Sequence, residues 1–243
     1  QNKFIYLPIS NSESTKLTLE KGKLISLKTI DNIALNSWYY KAKKPNKIII
    51  YFHGNAGDLK KRENIIEPYL DEDYSFLLLS YRGYSNNAGT PSEEGLYTDA
   101  RTAMKFAILE GFNEKDIILF GESSGAAIAI QMATEYKNIA ALILRSPFTS
   151  LKEIAIYHYG LYPVSWFLHN QYNSYKKIAN IAVPKLFVHG SKDQIVPKEM
   201  VEKLYNRAVL PKQFISLDNF GHNDLPDFSD LAIDFLQQNG LGV

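Results

Sequence analysis

The chain is expected to fold as an α/β protein with a mostly parallel, doubly wound central sheet and helices on both faces. Three observations predict this. Short continuous apolar runs recur from Lys47 onward, the form a strand takes when both of its faces are covered. Stretches of helical periodicity separate those runs. The 243 residues, 45% hydrophobic and 22% charged, fit a globular domain of this class.

The elements follow in order. Phe4–Ile9, Lys16–Glu20, Leu24–Thr29 and Ala34–Tyr40 are short, partly alternating and divided by Asn, Ser, Gly or Asp, which reads as antiparallel edge strands. The run Lys47–His53 is apolar throughout and predicts the first buried strand. Ser75–Tyr81, Ile117–Phe120, Ala140–Leu144, Lys185–His189 and, less apolar, Gln213–Leu217 supply the others. Helices are predicted over Leu59–Leu70, Pro91–Glu110, Gly125–Tyr136, Pro197–Ala208 and Asp227–Gln238. In the second of these, Thr90 can cap, Pro91 suits the first helical position and Glu93 stands three residues after the cap. Strands alternating with helices make a parallel sheet, whose ligands bind at the carboxyl ends of the strands. No repeat or linker divides residues 1–243, so they read as one domain. Phe148–Asn173, rich in aromatic residues, reads as a lid-like insertion over one end of the sheet, with Tyr159, Tyr162, Trp166 and Phe167 as candidate pocket residues.

Bulk composition removes several function classes. A net charge of +1 gives no support for a polyanion-binding surface, so nucleic acid is not an expected partner. The absence of cysteine excludes disulfides, a thiol nucleophile and cysteine-ligated metal. No His, Asp and Glu cluster has metal-ligand spacing, so no metal or cofactor is expected. No apolar run reaches the ~20 residues that span a bilayer. The first residue is Gln1, which reads as a processed or truncated start. Any membrane association is expected only through a missing N-terminal signal or anchor.

One stretch carries chemistry. Gly121-Glu122-Ser123-Ser124-Gly125 has the form G-x-S-x-G between a buried strand and an Ala-rich helix start. The flanking glycines place Ser123 at the centre of a sharp turn, while Ser124 would offer its backbone N–H. The competing reading is a helix start capped by Ser123. A serine hydroxyl needs a base, usually a histidine held by a carboxylate. Of five histidines, His222 alone lies in a late loop after a strand; His53 and His189 end buried strands and read as structural. Asp193 lies 70 residues after Ser123 and 29 before His222, in the loop after the next-to-last strand. Asp218 is a weaker candidate in the same loop as the histidine. The small loop after Phe52 can aim the N–H of Asn55 at an oxyanion, paired with that of Ser124. Arg82 is read as a structural partner of a carboxylate such as Asp99.

Six blocks carry a resemblance: HGNAG at His53, SYRGYSNNAGTPSEEGLYTDA at Ser80, GESSGAA at Gly121, RSPFTSL at Arg145, VPKLFVHGSKDQIVP at Val183 and GHNDL at Gly221. From about Lys47 to the C-terminus the chain resembles the α/β-hydrolase-domain proteins that are commonly membrane-anchored and include the protein depalmitoylases. The resemblance implies the same triad of Ser123, Asp193 and His222. It implies a serine hydrolase acting on acyl esters or thioesters, with a small or lipid-like acyl substrate or an acylated protein. Peptidase-like relatives make a peptidase the alternative, and a non-catalytic binding protein on this fold is a third reading. Ser124 stands where relatives often carry a larger apolar residue, and Ser85-Asn86-Asn87 lacks a glycine.

Overall fold

The computed structural model describes Tyr6 and residues 21–55, 62–160 and 169–242. Eight strands form one sheet: β1 (Lys23–Lys28), β2 (Ala34–Tyr40), β3 (Ile48–Phe52), β4 (Ser75–Leu79), β5 (Ile117–Glu122), β6 (Ala141–Arg145), β7 (Lys185–Gly190) and β8 (Lys212–Leu217). Their order across the sheet is β1-β2-β4-β3-β5-β6-β7-β8. The first two join antiparallel and every pair from β4 to β8 is parallel. The expected mostly parallel sheet with antiparallel N-terminal strands is therefore present. The Phe4–Ile9 and Lys16–Glu20 strand readings lie outside the described residues, Tyr6 excepted.

The apolar runs form strands because both faces of the sheet are covered. Along β3, Ile48, Ile50 and Phe52 enter one core, while Ile49 and Tyr51 enter the other. The first core is roofed by α2 (Glu93–Leu109), α3 (Ser124–Glu135) and α6 (Lys198–Arg207), the second by α1 (Glu63–Asp71) and α7 (Ser229–Gln238). α4 (Leu151–Tyr159) and the short α5 (Ser174–Ile178) complete the described α-helices. Residues 59–61 of the first predicted helix lie outside the described residues.

The start of α2 differs from the sequence reading. Ser92, not Thr90, is the cap, and its hydroxyl accepts from the Gly95 N–H at 3.1 Å. Pro91 stays outside the helix. Glu93 does not fold back on the cap, because its carboxylate is used elsewhere. It accepts from the N–H groups of Gln171 and Tyr172 at 2.5 and 3.0 Å and from the Tyr97 hydroxyl at 2.8 Å. That cluster fixes the C-terminal end of the aromatic stretch.

Arg82 takes the structural role expected of it. Its guanidinium donates to Asp99 at 2.8 and 2.9 Å and to Asp31 at 2.7 and 3.1 Å, tying α2 to the β1–β2 turn.

Candidate active site

The parallel strands deliver the candidate residues to one edge of the sheet. Asn55 follows β3, Ser123 follows β5, Asp193 follows β7 and His222 follows β8. Since β5 lies next to β3 and β6, the serine stands at the middle of that edge, flanked by the other loops.

The turn at Ser123 is sharp enough to strain the backbone. Its φ of 53° and ψ of −115° belong to a region that side-chain-bearing residues rarely adopt. The flanking glycines permit the turn through space. A Cβ on Gly121 would lie 2.5 Å from the Ala126 Cα, and one on Gly125 would overlap the Phe52 carbonyl oxygen. The Ser123 side chain makes no capping hydrogen bond, which removes the helix-cap reading. Its Oγ instead lies 3.1 Å from His222 Nε2. His222 Nδ1 donates to Asp193 Oδ2 at 2.7 Å.

Asp193 is held from several sides. Its other oxygen accepts from the N–H groups of Ile195 and Val196 at 2.9 and 2.8 Å. Burial alone would raise its pKa. The His222 hydrogen bond, the His222 charge and the Val196 N–H outweigh burial and hold the carboxyl below its ordinary range. The loops carrying Asp193 and His222 touch directly. Lys192 N–H donates to Phe220 O at 2.8 Å, and Gly190 leaves room for the Phe220 carbonyl. His189 lies 3.6 Å from Asp193 Oδ2 with no exposed side-chain surface, and burial keeps its pKa low. Asp224, also in the loop, accepts from the Gly221 N–H at 2.6 Å and shapes the turn before His222.

A cavity of about 900 Å³ opens at Ser123, with Asn55, Ser124 and His222 on its wall. Ser124 is the first residue of α3, so its N–H has no acceptor within the helix. The Asn55 side chain accepts from the Tyr84 hydroxyl at 3.0 Å, which fixes the loop after β3. Phe148, Leu151, Ile154, Ile195 and Val196 give the cavity an apolar side. Tyr159 does not join them. It is 66% exposed at the end of α4, whereas Leu151 and Ile154, three residues apart, share the face of α4 turned to the cavity. Tyr162, Trp166 and Phe167 lie outside the described residues.

Two features of the wall escaped the sequence reading. Tyr6 and Tyr172 line it with their hydroxyls 2.7 Å apart. The other is a charge cluster beside Ser123. The Glu122 carboxylate accepts from the Tyr51 hydroxyl and pairs with Arg145 at 3.0 Å and Arg62 at 3.4 Å. Burial would raise the Glu122 pKa, but the two guanidiniums reverse the shift and keep the group ionised. The signal was present as a Glu inside the motif and an Arg ending the apolar run of β6.

His53, as expected, is structural. Its ring is 4% exposed, sits 4.2 Å from the Tyr81 ring centroid and donates from Nδ1 to Gly54 O at 2.7 Å. Burial, assisted by Arg62, lowers its pKa from 6.5 to about 4. Between those values the unfolded chain binds a proton that the folded chain refuses. Stability is therefore full above pH 6.5 and falls towards pH 4, by about 3 kcal/mol in total. His53→Gln is expected to flatten that part of the pH profile. Urea midpoints at pH 7 and pH 4.5 test it; an equal drop in both proteins would refute it.

A family model described as serine aminopeptidase, S33, matches residues 43–177. The chain belongs to this α/β-hydrolase family. Among relatives of the hydrolase, an uncharacterized protein of Mycobacterium tuberculosis, Rv2307c, is 37% identical over 236 residues, covering 95% of this chain and 83% of that protein. Protein bem46 of Schizosaccharomyces pombe is 32% identical over 232 residues, covering 90% and 78%. The uncharacterized membrane protein YNL320W of Saccharomyces cerevisiae is 29% identical over 242 residues, covering 96% and 84%. The esterase Pf2001 of Pyrococcus furiosus superposes with a TM-score of 0.76 at 20% identity, covering 96% of this chain and 98% of that one, and shares the fold.

Proposed function

We propose that the hydrolase cleaves acyl esters or thioesters through Ser123, His222 and Asp193. The observation that carries this reading is the continuous relay of 3.1 and 2.7 Å from the Ser123 hydroxyl to the Asp193 carboxylate, at a cavity with an apolar side. His222 Nε2 takes the hydroxyl proton as Oγ bonds to the acyl carbonyl carbon. Asp193 holds the imidazole in the tautomer with Nδ1 protonated and stabilises the imidazolium. The N–H groups of Asn55 and Ser124 receive the oxyanion. Collapse expels the alcohol or thiol, which takes the proton from His222. Water then gives a proton to His222 and attacks the acyl-enzyme. The acid leaves, and the proton returns to Ser123.

The description of the matching family favours a peptidase as the second reading. An aminopeptidase needs an anion to hold the substrate ammonium. Among the described residues lining the cavity, the only carboxylate is Glu122, which pairs with Arg62 and Arg145. We therefore rank acyl esters and thioesters first.

A fluorophosphonate probe is expected to label the protein at Ser123. Turnover of 4-nitrophenyl esters is expected to exceed that of amino-acid 4-nitroanilides and to rise from acetyl to butyryl or longer chains. No labelling would sink the serine-hydrolase assignment, and faster anilide turnover would reverse the ranking.

A further inference from the structure

A side chamber of about 230 Å³ adjoins the main cavity and shares Asn64, Ile65, Arg145 and Leu225 with it. Tyr69 of α1, Phe120 of β5 and Phe228, the residue before α7, line the chamber and belong to the second core. None of Phe148, Leu151, Ile154, Ile195 and Val196, the apolar side of the main cavity, lines it. Among the described residues the chamber has two charged groups of opposite sign, and both are engaged. Arg145 pairs with Glu122 at 3.0 Å and donates to His222 O at 3.4 Å. Asp227 accepts from the Ser229 N–H at 3.0 Å and from the Ser229 hydroxyl at 2.8 Å.

Tyr69 is different. It is 1% exposed, and its ring packs against those of Tyr74, Phe76 and Phe120. Its hydroxyl makes no hydrogen bond with any described residue. Buried hydroxyls are seldom left so, because the lost contact with water is then not offset. With the ring held by three aromatic neighbours, the hydroxyl is the end of Tyr69 left to meet the chamber. Burial, joined by the Asp227 charge, raises its pKa. At neutral pH it therefore keeps its proton and can donate.

We propose that the side chamber takes an uncharged polar group, a hydroxyl or an amide carbonyl, on the alcohol or thiol portion of the substrate, and that Tyr69 donates a hydrogen bond to its oxygen. The donor left open is itself uncharged, and Arg145 and Asp227 bring opposite charges, so an uncharged acceptor fits better than either ion. The acyl chain keeps to Phe148, Leu151 and Ile154. The inference rests on the ester or thioester reading above and narrows it to leaving groups with an oxygen beyond the scissile bond.

Butyryl thioesters of the hydroxyalkanethiols from 2-mercaptoethanol to 6-mercaptohexanol test it, each set against the alkanethiol in which a methyl replaces the hydroxyl. Thiol release is followed. At the length that reaches Tyr69 the hydroxyl compound is expected to exceed its alkyl partner in kcat/KM by about fivefold, the usual scale of one uncharged hydrogen bond. Tyr69→Phe removes only the hydroxyl. The advantage is expected to vanish in that variant, while its urea midpoint holds or rises because no partner in the fold is lost. No advantage at any length, an advantage that persists in Tyr69→Phe, or a lower midpoint for that variant overturns the subsite and leaves the hydrolase reading intact. A larger advantage for the 3-mercaptopropionate or thiocholine thioester overturns the uncharged class. No turnover together with no fluorophosphonate labelling removes both the subsite and the hydrolase reading.

Discussion

Replacing Ser123 with alanine is expected to lower ester and thioester turnover by about ten-thousand-fold or more, the usual cost of losing a triad nucleophile. Replacing Ser124 with alanine is expected to leave turnover within a few-fold, because the role proposed for that residue uses only its backbone N–H, which alanine keeps. The contrast follows from geometry. Only the Ser123 hydroxyl lies within hydrogen-bond reach of His222, at 3.1 Å. The Ser123→Ala protein should remain folded, since the side chain makes no helix-capping bond. Steady-state turnover of 4-nitrophenyl butyrate, with circular dichroism as the check on folding, measures both. Comparable losses in the two variants would contradict the separate roles.

The second large effect is on stability. Glu122→Ala is expected to destabilise the fold by about 3–5 kcal/mol, because it strands two guanidiniums with no carboxylate between them. Arg145 and Arg62 keep only 9% and 12% of their side-chain surface exposed, so water replaces the lost partner only in part. Tyr51 would also lose the acceptor of its buried hydroxyl. Urea denaturation reads the loss. A second variant separates charge from packing: Glu122→Gln keeps the volume and a carbonyl acceptor for Tyr51, and should fall between wild type and alanine. A loss below about 1 kcal/mol for alanine would mean that the cluster is solvated rather than buried.

The parallel sheet and the meeting of Ser123, Asp193 and His222 were legible in the sequence for a shared reason. Strands covered on both faces must be apolar throughout, so β3, β5, β6 and β7 announce themselves, and loops after parallel strands converge on one edge. Chain order then sufficed to choose Asp193 and His222. What escaped depends on contacts across the sheet. The Glu122–Arg145 pair follows from the register of β5 against β6, which no local pattern encodes. Tyr159 looked like a pocket residue because the segment is aromatic. The rotation of α4 decides otherwise, turning Leu151 and Ile154 inward and leaving Tyr159 largely in solvent. The cap of α2 is Ser92 and not Thr90, and Glu93 bonds Gln171 and Tyr172, contacts across the fold that local spacing does not encode.

The spacing of the relay has a consequence for biosynthesis. Ser123 and His222 are separated by 99 residues, and the histidine follows β8, the last strand and an outer edge of the sheet. A nascent chain emerging from the ribosome therefore carries Ser123 long before His222. Any fragment that ends before β8 holds Ser123 without the imidazole that lies 3.1 Å from its hydroxyl in the folded chain. The hydrogen-bonded relay from Ser123 through His222 to Asp193 closes only when the final edge of the sheet is laid down.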